Sequence, residues 1–313
     1  MADAQAQTIP HGHRPVLADA VLDTLAPQPG QTLVDCTLGR GGHASLLLPL
    51  IPGGRYLAFD LDASNADYAQ ARLAPLAQQH GVTLDIVHAS FTAMPAELDR
   101  RGITELHAIL ADLGFASNQV DDPQRGLSFL RDGPLDMRLD PTDPVTAQQL
   151  VNQLPEKELA DLIYRFGEER KSRRIARKIV EVRRTSPISS TVQLADLVRR
   201  ALGPGGNRPG FHPATRTFQA LRIAVNGELD ALDALLAIAP SRLRPASGRL
   251  AVISFHSLED RPVKQAMQNW DAQGLGTRLT RKPVVATPEE AHDNPRARSA
   301  KLRGFQFSTL NPH

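Results

Sequence analysis

The chain has 313 residues, 41% hydrophobic and 22% charged, which leaves room for one large α/β domain or two modest ones and excludes a disordered or fibrous protein. Its formal net charge of +2 excludes a polycation. A single cysteine, Cys36, rules out an internal disulfide and a cysteine-rich zinc site. The longest apolar run, Ala44 to Pro52, is too short to span a bilayer, so a cytoplasmic protein is expected.

Short apolar runs of β type alternate with helical stretches through the first third. Thr32 to Cys36 reads as a buried strand, and Gly42 to Leu50 opens a helix. Tyr56 to Asp60 is a second strand, followed by a helix from Ala63 to His80 that Gly81 stops. Thr83 to His88 and His107 to Asp112 are the third and fourth strands. Repeated β-α-β units of this length imply a parallel sheet covered by helices. Gly114 to Pro144 has no period and reads as a long ordered loop, a kind that is usually functional. Glu156 to Leu202 is helical in three pieces, and Gly203 to Pro213 is a second loop. Phe218, Leu221, Val225, Leu229, Leu232 and Leu236 then predict one long helix, weakened in its middle by Gly227. Arg249 to Phe255 returns to a buried strand. Thr277 to Lys282 and Lys301 to Phe307 predict an antiparallel pair.

Basic residues are unevenly placed. Arg165 to Arg184 holds nine Lys/Arg against three Glu, and Thr277 to Arg303 holds seven against three acids. Such stripes can grip a phosphate backbone at near-zero total charge.

The segment from Val34 to His43 carries Gly39, Gly41 and Gly42 between the first strand and the next helix, where the backbone must turn sharply or approach a ligand. Asp60 ends the second strand about twenty residues later, where a carboxylate can accept both ribose hydroxyls. Gly39, Gly41 and Ala44 also fit a dinucleotide fingerprint, and a tight turn without ligand is the plain alternative. Asp112-Leu113-Gly114 ends the fourth strand, where a doubly wound sheet reverses its order. An insertion follows instead of a second β-α-β half, which favours a methyltransferase over a nicotinamide dehydrogenase.

Longer stretches then carry a resemblance. HRPVL near the start, DCTLGRGGH at the first turn, and DLG followed by QVDDPQRGLSF and DGPLDMR form its first half. FGEERKSRRIARKIV, HPATRTFQALRIAVN, AVISFHSLEDR and NPRARSAKLR complete it. In this order, from residue 13 to 303, the chain resembles the bacterial small-subunit (16S) ribosomal RNA cytosine N4-methyltransferases, the MraW/RsmH family. It departs at DLGFASNQVDD, where the family commonly reads DLGVSSPQLDD, and at NGEL around Gly227, where it commonly reads NDEL.

The resemblance implies a class I, Rossmann-like α/β methyltransferase with a mostly parallel sheet, an antiparallel C-terminal pair and a helical insertion. The expected segments are 1–116 and 215–313 for the methyltransferase domain and 117–214 for the insertion. It implies S-adenosylmethionine as cofactor, held by Gly41, Gly42, His43, Asp60, Phe91, Asp112 and Gln119. The implied partner is 16S rRNA in the small ribosomal subunit, methylated at N4 of a cytidine in the decoding region. Oligomeric state is left open between a monomer and a homodimer. Other substrates, DNA or protein, and a non-catalytic RNA-binding module are the alternatives.

Cytosine N4 is a poor nucleophile that needs positioning and an acceptor for its N–H hydrogens. Asp112 is the first candidate acceptor, with a strand-end cap as its plain reading, and His256 the second. Asp136 is a weaker candidate because carboxylates in Pro/Gly turns are more often structural. Cys36 reads as a small buried hydrophobe, and no cluster has zinc spacing. Arg173, Arg174, Arg177 and Lys178 are the expected RNA contacts, with Ile175 and Ile179 facing inward. Arg296, Arg298 and Lys301 form a second basic candidate.

Overall fold

A computed structural model of the chain describes residues 15–203 and 212–308. Most of the expected loop from Gly203 to Pro213, and His13 and Arg14 of the HRPVL stretch, lie outside them. The chain divides into two compact units, one of Met1–Leu113 with Ala234–His313 and one of Gly114–Asp233.

The first unit is built on one sheet. Strands β1 (Thr32–Asp35), β2 (Arg55–Asp60), β3 (Thr83–His88), β4 (Ala108–Asp112) and β5 (Arg249–Ser254) run parallel in the order β3-β2-β1-β4-β5. Then β6 (Gly276–Arg278), β7 (Val284–Val285) and β8 (Lys301–Phe307) complete it, β8 lying antiparallel to β5 with β6 and β7 both paired to β8. The expected antiparallel pair is therefore β6 with β8. Central strands of a parallel sheet are covered on both faces, which explains why β1, β2 and β4 are apolar runs rather than alternating ones. Leu33, Val34, Leu57, Phe59, Ile109 and Leu110 are all fully buried.

Helices α1 (Ala18–Leu25), α2 (Gly42–Leu47), α3 (Ala63–Gln79) and α4 (Met94–Arg100) belong to this unit, as do α12 (Ser257–Ala272) and α13 (Pro288–Asp293). Asp62 caps α3 by accepting from the Ser64 amide at 3.0 Å, and Gly81, at φ +64°, turns the chain into β3. This fold is the class I methyltransferase arrangement expected from the sequence.

The second unit is helical. It holds α5 (Ser117–Asp121), α6 (Ala147–Gln153), α7 (Glu156–Gly167), α8 (Ser172–Arg183), α9 (Thr191–Leu202) and α10 (Thr215–Asn226). Leu159, Ile163, Ile175, Ile179, Val198, Phe218 and Leu221 share its core. Because α10 buries its apolar stripe here, the compact unit runs past residue 214 to Asp233. The expected loop from Gly114 to Pro144 is only partly irregular, since α5 and a short 3-10 turn at Pro123–Arg125 interrupt it. Arg138 clasps that stretch, pairing with Asp136 at 2.7 Å and donating to the Pro141 and Asp143 carbonyls. Asp136 is thus a structural ligand of Arg138: burial pushes its carboxyl up, but the Arg138 bonds outweigh this and hold it below its ordinary value. Phe115, at a position where the family commonly has valine, carries the Arg222 guanidinium 4.6 Å over its ring. Glu228 in turn holds Arg222 through two bonds of 2.7 Å.

The single helix expected through Leu236 is two. Gly227 sits at φ +60° and its amide bonds the Ile223 carbonyl, closing α10 before α11 (Glu228–Arg242) begins. The hydrophobic spacing continues across the break, so periodicity alone reads it as one helix. A Cβ at 227 would meet nothing within 4 Å, so the cost of a side chain there is purely conformational. Gly227→Ala is expected to destabilise the protein by about 1–2 kcal/mol, and Gly227→Asn by less, since Asn tolerates the left-handed region. Denaturant unfolding of the three proteins measures this, and equal midpoints would remove the conformational argument.

Candidate active site

Three adjacent parallel strands end in aspartates: β2 in Asp60, β1 in Asp35 and β4 in Asp112. Because β1 lies between β2 and β4, the connections leave it in opposite directions, and its carboxyl end opens at a switch point of the sheet. The glycine turn follows there. Gly39 and Gly41 adopt φ +54° and +76°, and the Gly41 amide closes a turn on the Leu38 carbonyl at 2.9 Å. A Cβ at Gly41 would sit 2.7 Å from Leu73 Cδ1, so a side chain here would press on that buried leucine of α3 as well as strain its own backbone.

Asp60 ties the turn to β2. Its Oδ2 accepts from the Gly39 amide at 2.7 Å and its Oδ1 from the Asp62 amide at 2.8 Å. Burial pushes the Asp60 carboxyl up to about 6 against the pull of these bonds. Asp35 is fully enclosed, accepting from the Thr37 amide at 3.0 Å and the Tyr56 hydroxyl at 2.8 Å, and burial raises its pKa too. Thr37 also accepts from the Asp112 amide at 2.6 Å, which locks the end of β4 to the turn.

His43, in the first turn of α2, is buried, with Nε2 3.5 Å from Asp112 Oδ2. Neither His43 Nε2 nor Asp112 Oδ1 has a hydrogen-bond partner, although both atoms are buried. Buried polar atoms are nearly always paired, and an exception at a strand-end crevice is the arrangement expected of a ligand site.

Residues 10–308 match the profile of the MraW methylase family. The chain belongs to that family. It is 50% identical over 297 residues to a protein of Acidobacterium capsulatum, covering 94% of this chain and 98% of that one. It is 48% identical over 294 residues to a protein of Sorangium cellulosum (93% and 89%) and 46% identical over 301 residues to one of Deinococcus radiodurans (96% and 91%). All three relatives carry the name ribosomal RNA small subunit methyltransferase H.

In this MraW-family protein the glycine turn, His43, Asp60 and Asp112 lie together within the first unit. Phe91 follows β3, whose His88 is the register partner of Asp60, and lines an open groove of about 390 Å³ with Pro95, Leu235 and Ile238. Gln119, in the second unit, is buried and accepts from the Ala116 amide at 2.8 Å. His256 opens α12 with Nε2 3.2 Å from Glu259 Oε1, although neither of its buried ring nitrogens makes a hydrogen bond, and Glu259 Oε2 accepts from the Phe255 amide at 2.8 Å. Cys36 is buried and burial pushes its thiol well above the ordinary range, which leaves no thiolate for covalent chemistry. Sequence reasoning assigned no role to Asp35. Its signal was an aspartate inside the DCTLGRGGH turn, but the tyrosine that makes its burial tolerable lies 21 residues away.

On α8, Arg173, Arg174 and Arg177 are exposed while Ile175 and Ile179 are buried, as the spacing predicted. Arg177 meets Glu156 at 3.7 Å and Lys178 meets Glu181 at 3.1 Å, both on the surface. Much of the C-terminal basic segment is spent on structure. Arg303 and Lys301 pair with Asp260, Arg278 with Asp271, and Arg296 is half-buried, while Arg281, Lys282 and Arg298 are exposed.

The raised Asp60 carboxyl has a consequence for stability. The folded chain holds a proton at Asp60 that the unfolded chain has lost above a pKa of 3.8, so the group destabilises the fold as pH climbs from about 4 through about 6. Asp60→Asn removes that dependence. Its unfolding free energy relative to the native protein is expected to rise by on the order of 2 kcal/mol between about pH 4 and pH 7. Unfolding titrations at several pH values measure the difference, and a constant offset would show that Asp60 titrates normally.

Proposed function

We propose that this protein transfers the methyl group of S-adenosylmethionine to the exocyclic N4 of a cytidine in the decoding region of 16S ribosomal RNA, acting on the small ribosomal subunit in the cytoplasm. The observation that carries the reading is the Asp112 carboxylate at the switch point, held beside the glycine turn with one buried oxygen unused. The name shared by the relatives supplies the substrate class.

The residues fit the cofactor. Asp60 stands at the end of β2, where its carboxyl can take a ribose hydroxyl besides the Gly39 and Asp62 amides. The unpartnered atoms of His43 and Asp112 mark a polar pocket that the protein does not fill itself. Gly41, Gly42, His43, Asp60, Phe91, Asp112 and Gln119 are the residues proposed to hold it. When bound, S-adenosylmethionine supplies an electrophilic methyl carbon on a sulfonium.

The chain's own work is then positioning and proton acceptance. Asp112 Oδ1 accepts an N–H of the cytosine amine and draws the nitrogen towards tetrahedral geometry. With the cofactor bound, the N4 lone pair so presented would attack its methyl carbon, and the sulfur would leave with the bonding electron pair. The proton released from N4 leaves through Asp112 to water. No thiol adduct is needed, consistent with the buried, protonated Cys36. His256 is the second candidate, held against Glu259. The target base must leave its stack to be reached.

Mass spectrometry of ribosomal RNA nucleosides from cells with and without the protein tests the reaction: N4-methylated cytidine in 16S rRNA should vanish with it. Labelled-methyl transfer to DNA or protein in place of small subunits would overturn the substrate assignment. The RNA-binding role proposed for Arg173, Arg174, Arg177 and Lys178, with Arg296, Arg298 and Lys301 as the second candidate, has its own test. In the triple variant Arg173→Ala, Arg174→Ala, Arg177→Ala, the slope of RNA affinity against salt should fall by roughly one counterion per lost charge, with S-adenosylmethionine affinity unchanged. An unchanged salt slope in the folded variant would make the α8 face an ordinary solvated surface.

A further inference from the structure

The imidazole of His43 has a role that a glycine-turn residue does not need. It is 7% exposed, yet its Nε2 has no hydrogen-bond partner and lies 3.5 Å from Asp112 Oδ2. The neighbouring acid, Asp35, already accepts from the Thr37 amide and the Tyr56 hydroxyl. The Asp112 amide is anchored on Thr37 Oγ1 at 2.6 Å, which fixes its backbone but leaves the carboxyl free to rotate about its last torsion. The imidazole stands on its Oδ2 side, where it can oppose that rotation. A separation of 3.5 Å is long for a hydrogen bond, and bonds of this kind in unliganded sites tighten when the site is filled.

We propose that His43 is a positioning residue: its Nε2–H donates to Asp112 Oδ2 and so turns Oδ1 towards the amine that is to be methylated. The pair works as acceptor and orienter. Asp112 touches the substrate and His43 acts through it. His43 thereby keeps Asp112 in one rotamer, with Oδ1 presented to the N–H it accepts. This rests on the assignment of Asp112 as the amine acceptor. It also separates two roles at one residue, the backbone at 43 belonging to the turn beside the cofactor and the side chain belonging to Asp112.

The test uses the full-length protein and three substitutions, His43→Leu, His43→Gln and Asp112→Asn. Glutamine carries an amide N–H at nearly the reach of Nε2, whereas leucine fills the space without a donor. His43→Leu is expected to lower kcat by about 10–100-fold, the scale of a misplaced catalytic group. His43→Gln should recover most of kcat. In the Asp112→Asn background, His43→Leu should cost little more, because the group it orients is already altered. A readout without RNA or turnover comes from ¹⁵N-histidine labelling. The His43 Nε2 resonance, assigned by its loss in His43→Gln, should shift when Asp112→Asn is introduced. Equal impairment of the Leu and Gln variants in folded protein, additive losses in the double variant, or an Nε2 resonance indifferent to Asp112→Asn would each overturn the proposal. If the unmodified protein fails to methylate small-subunit RNA, the assigned reaction falls instead, and the resonance comparison still decides whether the pair exists.

Discussion

Parallel strands cannot be joined by tight turns, so each must be reached by a crossover, and crossovers on one side of a strand move the chain steadily towards one edge of the sheet. In this protein the chain starts at β1, moves outward through β2 and β3, then returns to place β4 on the other flank of β1. That reversal is the constraint on which the site depends. It separates the connections after β1 and β4, and it brings the carboxyl ends of β2, β1 and β4 into one row, each closed by an aspartate. Asp35, Asp60 and Asp112 are spread over 78 positions of sequence and become neighbours only because of the strand order.

The three carboxylates are treated differently by their surroundings. Asp35 is enclosed and satisfied, and it serves the turn through Thr37. Asp60 is partly enclosed and bound to the Gly39 and Asp62 amides, at the expense of a carboxyl pushed up to about 6. Asp112 is the one left with an unused buried oxygen, facing an imidazole whose Nε2 is equally unused. Unmet hydrogen-bonding capacity inside a protein costs stability, and proteins retain it where a ligand will meet it. The difference among three identical side chains is therefore a difference of partners, not of chemistry.

The second unit is organised by another rule. Its helices share an aliphatic core of their own, and amphipathic α8 gives its isoleucines to that core and its arginines to the surface. Charge density alone does not mark a binding face. The C-terminal basic run resembles α8 in composition, but Arg278, Lys301 and Arg303 are held by Asp271 and Asp260. A cation bound to a carboxylate has less to offer a phosphate, and α8 too spends part of its charge this way, on Glu156 and Glu181.

By itself the sequence determined the strand-and-helix alternation, the glycine turn with Asp60 following it, the membership of a methylase family and the inward face of α8. These are local or periodic properties, written in adjacent residues or in steps of two, three and four. The break at Gly227 was hidden because the apolar spacing runs through it, and only the backbone angle shows that the helix ends there. The extent of the helical unit was hidden because the apolar stripe of α10 does not say which core it joins. Tertiary structure alone decided that Tyr56 shelters Asp35, that Asp136 is a clasp for Arg138, and that Asp260 consumes the charge of Arg303. It also decided that His43 faces Asp112, across 69 residues of chain. Such pairings depend on which strand ends the fold lays side by side, and a linear order of residues carries no record of that distance.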